Sequence, residues 1–140
     1  MCHGGGDIET VNDEDTLRDI RQNLGIVPGF MKGLPKDVLV NEWPSFKKYT
    51  LEESEIPAKQ RELLGLAVAA NIKCPYCQFF HMAAAKMQGA TEAELAEIAF
   101  LASYTARWSA MIHAQHYDYN TFVKETEEIG AHLQKAMAKK

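Results

Sequence analysis

At 140 residues the chain fits one domain, and its 46% hydrophobic content predicts a folded core and excludes a disordered chain. Fifteen Lys and Arg against nineteen Asp and Glu give a net charge of −4, with no basic stripe of the kind that neutralises phosphates, so no nucleic-acid partner is expected. The longest apolar run, Leu63 to Ile72, is about half of the roughly 20 residues that a membrane-spanning helix needs, so no membrane role is expected either.

Residues 1–13 are Gly-rich and acidic without periodic apolar positions, and read as a mobile N-terminal segment ahead of a single helical domain over 14–140. Met1 to Asp7 lacks the apolar core of a secretory signal, which gives a cytoplasmic location as the expectation. From Asp15, the spacing of Leu17, Ile20 and Leu24 predicts a short helix that Gly25 ends. Pro28, Gly29, Gly33 and Pro35 mark a connection with one helical turn around Phe30 and Met31. A helix over Lys36 to about Thr50 follows, broken or kinked at Pro44 because proline lacks the backbone donor.

Pro57 suits the first turn of the next helix, an Ala-, Leu- and Glu-rich run through Ile72 that is expected to be largely buried. Asn71 to Lys73 form a break, since Pro75 disfavours helical geometry at Cys74 and favours a new helix start, with Cys74 near its cap. That helix runs to Gln88, and Gly89 supplies a left-handed stop. Thr91 and Glu94 form a capping box that opens a long helix, Glu92 to about Tyr117, with Leu95, Ile98, Ala99, Ala102, Ala106 and Met111 facing inward. Asn120 is the expected cap of a last helix through about Ala138, whose basic end suits the helix dipole. No alternating strand pattern occurs, so the fold class is all-α.

Three cysteines, an odd number in a chain without an export signal, argue for redox or metal chemistry over a disulfide framework. Cys74 and Cys77 are three apart, on one helix face and within disulfide reach, and the first turn of a helix stabilises a thiolate. His81, one turn further, can accept or deliver a proton. Glu62 sits among Leu63, Leu64, Leu66 and Val68, where a carboxylate needs a partner; an antiparallel helix pair across the break brings it to His81. Two plainer readings remain beside this one. Cys74, Cys77 and His81 offer three zinc ligands that only the distant Cys2 or His113 could complete, and free cysteines are often unreactive core residues.

Glu62, eleven residues, then Cys74-x-x-Cys77-x-x-x-His81 resembles the signature of the AhpD-like alkylhydroperoxidases within the carboxymuconolactone decarboxylase superfamily. The Gly-x-Val-Pro segment at Gly25 to Pro28 and the Gly-Ala-Thr-x-x-Glu turn at Gly89 to Glu94 resemble it too, and the likeness covers roughly Gly25 to Phe122. The resemblance implies an AhpD-like helical bundle. It implies that Cys77 attacks a hydroperoxide and becomes a sulfenic acid, that Cys74 resolves it as a disulfide, and that His81 and Glu62 relay protons. It further implies no cofactor, a dithiol or lipoyl-protein electron donor, and homo-oligomers, trimers or hexamers. Where the best-characterised members have a histidine before the second cysteine this chain has Tyr76, implying a shorter relay or one that reaches solvent through water. The alternatives are a carboxymuconolactone decarboxylase-like lyase, and a non-enzymatic redox-sensing or zinc-binding module.

Elsewhere, His113 and His116 are three apart without a third ligand at a clear spacing, and read as interface or relay residues in preference to a metal site. Met82, Met87 and Met111 read as core before they read as pocket lining. Trp108 beside Arg107 can shape a cavity or a subunit contact, and Cys2 is expected to be exposed and open to oxidation.

Overall fold

The computed structural model describes residues 3–139, with side chains described from Asp13 onward; Cys2 lies outside the described residues. Seven helices follow one another: α1 His3–Leu24, α2 Gly29–Lys32, α3 Lys36–Leu51, α4 Ala58–Ile72, α5 Pro75–Met87, α6 Glu92–Ala114 and α7 Tyr119–Ala138. No strand occurs among the described residues, and none of these helices is long and apolar enough to cross a membrane. The all-α expectation is met.

The apolar residues gather in two small cores. Ile20, Val27, Met31, Leu39 and Trp43 join α1, α2 and α3, with Leu17, Leu24 and Phe46 against them. Leu66, Ala85 and Leu95 join α4, α5 and α6. Helix α4 is the hub, since it packs on α5, α6 and α3. The first core holds one polar anchor: Asp19 accepts from Trp43 Nε1 at 2.8 Å and Lys47 Nζ at 2.9 Å, tying α1 to α3. These donors, Trp43 first, hold the Asp19 carboxyl below its usual range.

Local chemistry accounts for most boundaries. The N–H of Gly25 bonds to Arg21 O at 2.9 Å and closes α1. Gly89, at φ +89°, ends the turn after α5 in the left-handed region that costs glycine nothing. The Thr91–Glu94 capping box is present in both directions, 3.1 and 2.9 Å. Lys59 reaches the same Glu94 at 3.0 Å, fastening α4 to the start of α6.

Several expectations need correction. Helix α1 starts at His3, upstream of the Asp15 region where the apolar spacing places it; helical backbone continues where the sequence has no periodic apolar positions. Helix α3 runs through Pro44 to Leu51 without a break. Pro57 is the N-cap of α4, one residue ahead of the first turn. Helix α4 includes Asn71 and Ile72, so the break narrows to Lys73, which adopts a left-handed conformation at φ 57°. That helix is also only half buried: Glu62, Leu66 and Ala69 face inward, while Leu64, Val68 and Ile72 are exposed at i, i+4 and i+8. Helix α6 stops at Ala114, three residues early; Ala99 is exposed, and so are Ala106 and Met111, because no helix of the described chain covers the C-terminal half of α6. Met82 and Met87 are exposed as well. The cap of α7 is Asp118, whose carboxylate accepts from Thr121 N–H at 2.9 Å, in place of Asn120.

Candidate active site

The site forms where α4 hands over to α5. Lys73 N–H bonds back to Ala69 O, its left-handed turn redirects the chain, and Cys74 follows in an extended conformation as the N-cap of α5. Pro75 occupies the first turn, where its missing donor costs nothing. The single-residue turn lets α5 fold back along α4 and bring its side chains against residues one to three turns earlier.

Cys74 Sγ accepts the backbone N–H of Cys77 at 3.3 Å, and the two Sγ atoms stand 2.8 Å apart and share a hydrogen bond. Both are free thiols, and both are half-buried. The two sulfurs differ in charge preference. The shared hydrogen bond and the Cys77 N–H both favour negative charge on Cys74 and lower its pKa. Cys77 then keeps the shared proton: its bond to Cys74, then its loss of water, then the neighbouring charge raise its pKa. Of the two sulfurs, Cys74 is therefore the readier to lose its proton and Cys77 the readier to keep it, and Cys74 is the one to which the family resemblance gives the resolving role.

Glu62 is the buried charged residue of α4, 3% exposed, and its Oε2 lies 2.8 Å from His81 Nδ1. An ionised carboxylate can only accept, so Nδ1 carries the hydrogen and Nε2 is left free to exchange a proton. Phe80 meets the imidazole edge-on, with ring centroids 5.3 Å apart, and Phe46 extends this aromatic contact towards Trp43 in the other core.

Sequence reasoning missed Gly65. A Cβ at this position would lie 2.5, 2.6 and 2.7 Å from Cε1, Nδ1 and Nε2 of His81, so the ring rests on bare backbone. Glu62 and Gly65 are three apart on α4, one supplying the acceptor and the other the space. A glycine inside an Ala- and Leu-rich helix, where it costs about 1 kcal/mol against Ala, was the available signal.

The other candidates separate. His113 Nδ1 bonds to its own helix at Ser109 O, 2.8 Å, and His116 lies beyond α6 in a left-handed conformation, φ 51°. Among the described residues no three His, Cys, Asp or Glu side chains gather as a metal site would require. Tyr76 points outward, 85% exposed. Trp108, half exposed, lines the open cleft between α6 and α7.

A family model described as the carboxymuconolactone decarboxylase family matches residues 39–117, which include all of the site. The chain is similar to the crystal structure of an alkylhydroperoxidase AhpD core from Rhodospirillum rubrum. The two share 27% identity and a TM-score of 0.67, over 84% of this chain and 91% of that one. No curated protein matches.

Proposed function

This chain belongs to the carboxymuconolactone decarboxylase family, with an AhpD-like all-α fold, and from that membership and the site geometry we propose that it reduces hydroperoxides by a two-cysteine cycle. The observation that carries the reading is the 2.8 Å contact between Cys74 and Cys77 at the start of α5.

In this cycle Cys77 gives up its proton through His81, and its thiolate attacks the terminal oxygen of the hydroperoxide. The O–O bond breaks, Cys77 becomes a sulfenic acid, and the departing alkoxide takes a proton delivered through His81, which Glu62 holds in place. Cys74 then attacks Cys77 Sγ; the hydroxyl leaves with the thiol proton as water, and a disulfide forms. A dithiol, free or lipoyl-borne, returns the two electrons and releases its own disulfide. A lyase acting on a lactone would use the Glu62–His81 pair for proton transfer but has no need of two sulfurs in contact.

Stopped-flow measurement of hydroperoxide consumption with a dithiol donor tests the proposal. Turnover that disappears in Cys77→Ser is expected. A rate in the intact protein no faster than that of a free thiol removes it.

A further inference from the structure

Glu62 and Gly65 hold the His81 ring from α4 alone. A Cβ on Gly65 would lie 2.5, 2.6 and 2.7 Å from Cε1, Nδ1 and Nε2. Three ring atoms are nearly equidistant only from a point over the ring, so Gly65 lies against a face of the imidazole and not against its edge. One hydrogen bond at Nδ1 and backbone against one face still leave the ring free to tilt away from α4, and 27% of the side chain is exposed. A fixed direction for Nε2 needs a further contact.

Phe80 supplies it. Adjacent residues of a helix diverge by about 100° and do not face each other. Yet the Phe80 and His81 rings stand at 83° with centroids 5.3 Å apart, so the phenyl group leans across to the imidazole. Burial does not hold it there, since Phe80 is 40% exposed. What meets it from another element is Phe46 of α3, with ring centroids 6.2 Å apart at 56°. Phe46 stacks in turn on Trp43, at 5.7 Å and 22°, and Trp43 is 3% exposed. All three separations fall within the roughly 4.5–7 Å over which aromatic rings attract. A continuous row of rings thus runs from the buried centre of the first core to the imidazole of the site.

We propose that Phe46 is a positioning residue for His81: by holding Phe80 against the imidazole, it lets α3 share with α4 the task of directing Nε2. Phe46 touches no reacting atom. The unit of α1 to α3, which supplies none of Glu62, Cys74, Cys77 and His81, gains a part in the chemistry through this one side chain. The Asp19 bond to the Trp43 indole strengthens the same core but is no member of the row. The effect on turnover rests on the two-cysteine reading of the site; the orientation of the ring does not.

Phe46→Leu keeps apolar bulk in the first core and removes the ring, while Phe46→Tyr keeps the ring. In the reduced full chain, the nitrogen-15 shifts of the His81 ring, assigned by their absence in His81→Gln, report how completely the hydrogen stays on Nδ1. In Phe46→Leu the Nδ1 and Nε2 shifts draw together as the released ring samples both tautomers, and hydroperoxide turnover falls about twofold to tenfold. Phe46→Tyr keeps both at wild-type values. Phe80→Leu reproduces Phe46→Leu, and the double variant is scarcely worse than either. Asp19→Ala, which weakens the same core, moves neither readout. Unchanged His81 shifts in Phe46→Leu, the same changes in Asp19→Ala, or a Phe46→Tyr variant that behaves like Phe46→Leu overturns the proposal. A wild-type protein that turns over no hydroperoxide removes the peroxidase reading and leaves the His81 shifts to decide the role of Phe46.

Discussion

If Glu62 and His81 act as one proton-handling unit, removing both should harm turnover scarcely more than removing either. Their contact is a single bond of 2.8 Å to a carboxylate 3% exposed, and Glu62 has no other hydrogen-bond partner among the described residues. A hydrogen bond to a charged group contributes about 1.5–3 kcal/mol, so losing the orientation of the ring alone lowers the rate roughly tenfold to 150-fold. Losing proton delivery as well brings the expected fall to about 10²–10⁴. Glu62→Gln keeps the volume and a neutral acceptor while removing the charge, and His81→Gln removes the ring. Each single variant should fall within that range, and the double variant should stay within about tenfold of the worse single. Stopped-flow consumption of hydroperoxide, with helix content followed by circular dichroism, measures the three. A double variant whose loss is the product of the single losses would refute the reasoning, because independent groups multiply and a relay does not.

Other consequences can be measured more briefly. Gly65→Val places carbon where the His81 ring lies, within 3 Å of three of its atoms, and should depress turnover at least as far as Glu62→Gln while the protein still folds; full activity would show that the ring does not need this seat. Cys74 has a lowered pKa and Cys77 a raised one. The stabilisation from the Cys74 thiolate is present above its unfolded pKa and fades as pH falls through its folded value. That from the protonated Cys77 is present below its unfolded pKa and fades as pH rises through its own. Denaturation of the reduced protein should therefore show the pair contributing most between the two titrations, and Cys74→Ser should flatten the profile. Asp19→Ala removes the acceptor of the Trp43 indole N–H and should lower the urea midpoint with no change in peroxide turnover, since the anchor belongs to the other core.

The site was legible because it is local. Cys74-Pro75, the spacing to His81 and the Thr91–Glu94 box each declare their structure within one or two helical turns, and a short connection between α4 and α5 left Glu62 few places to go. What escaped depended on contacts that no local pattern encodes. Gly65 matters because a ring from another helix lies on it. Ala99, Ala106 and Met111 repeat like core residues, and that periodicity cannot tell a face covered by the same chain from one left uncovered. Asp118 and Asn120 are both good caps two residues apart, and only the backbone decides between them. Pro44 carries a rule about donors that its helix overrides.

In the proposed cycle Cys74 has two duties on one atom, since its Sγ is both the sulfur of the pair that more readily takes the charge and the acceptor that caps α5 through Cys77 N–H. Once that sulfur is bound in a disulfide it carries no charge and accepts the N–H more weakly. The first turn of α5 is then held less firmly in the oxidised protein than in the reduced one. The order of residues 75–78 becomes a gauge of redox state, readable as faster amide exchange at that turn after oxidation, and a reductant would meet the disulfide on the most loosened stretch of the helix.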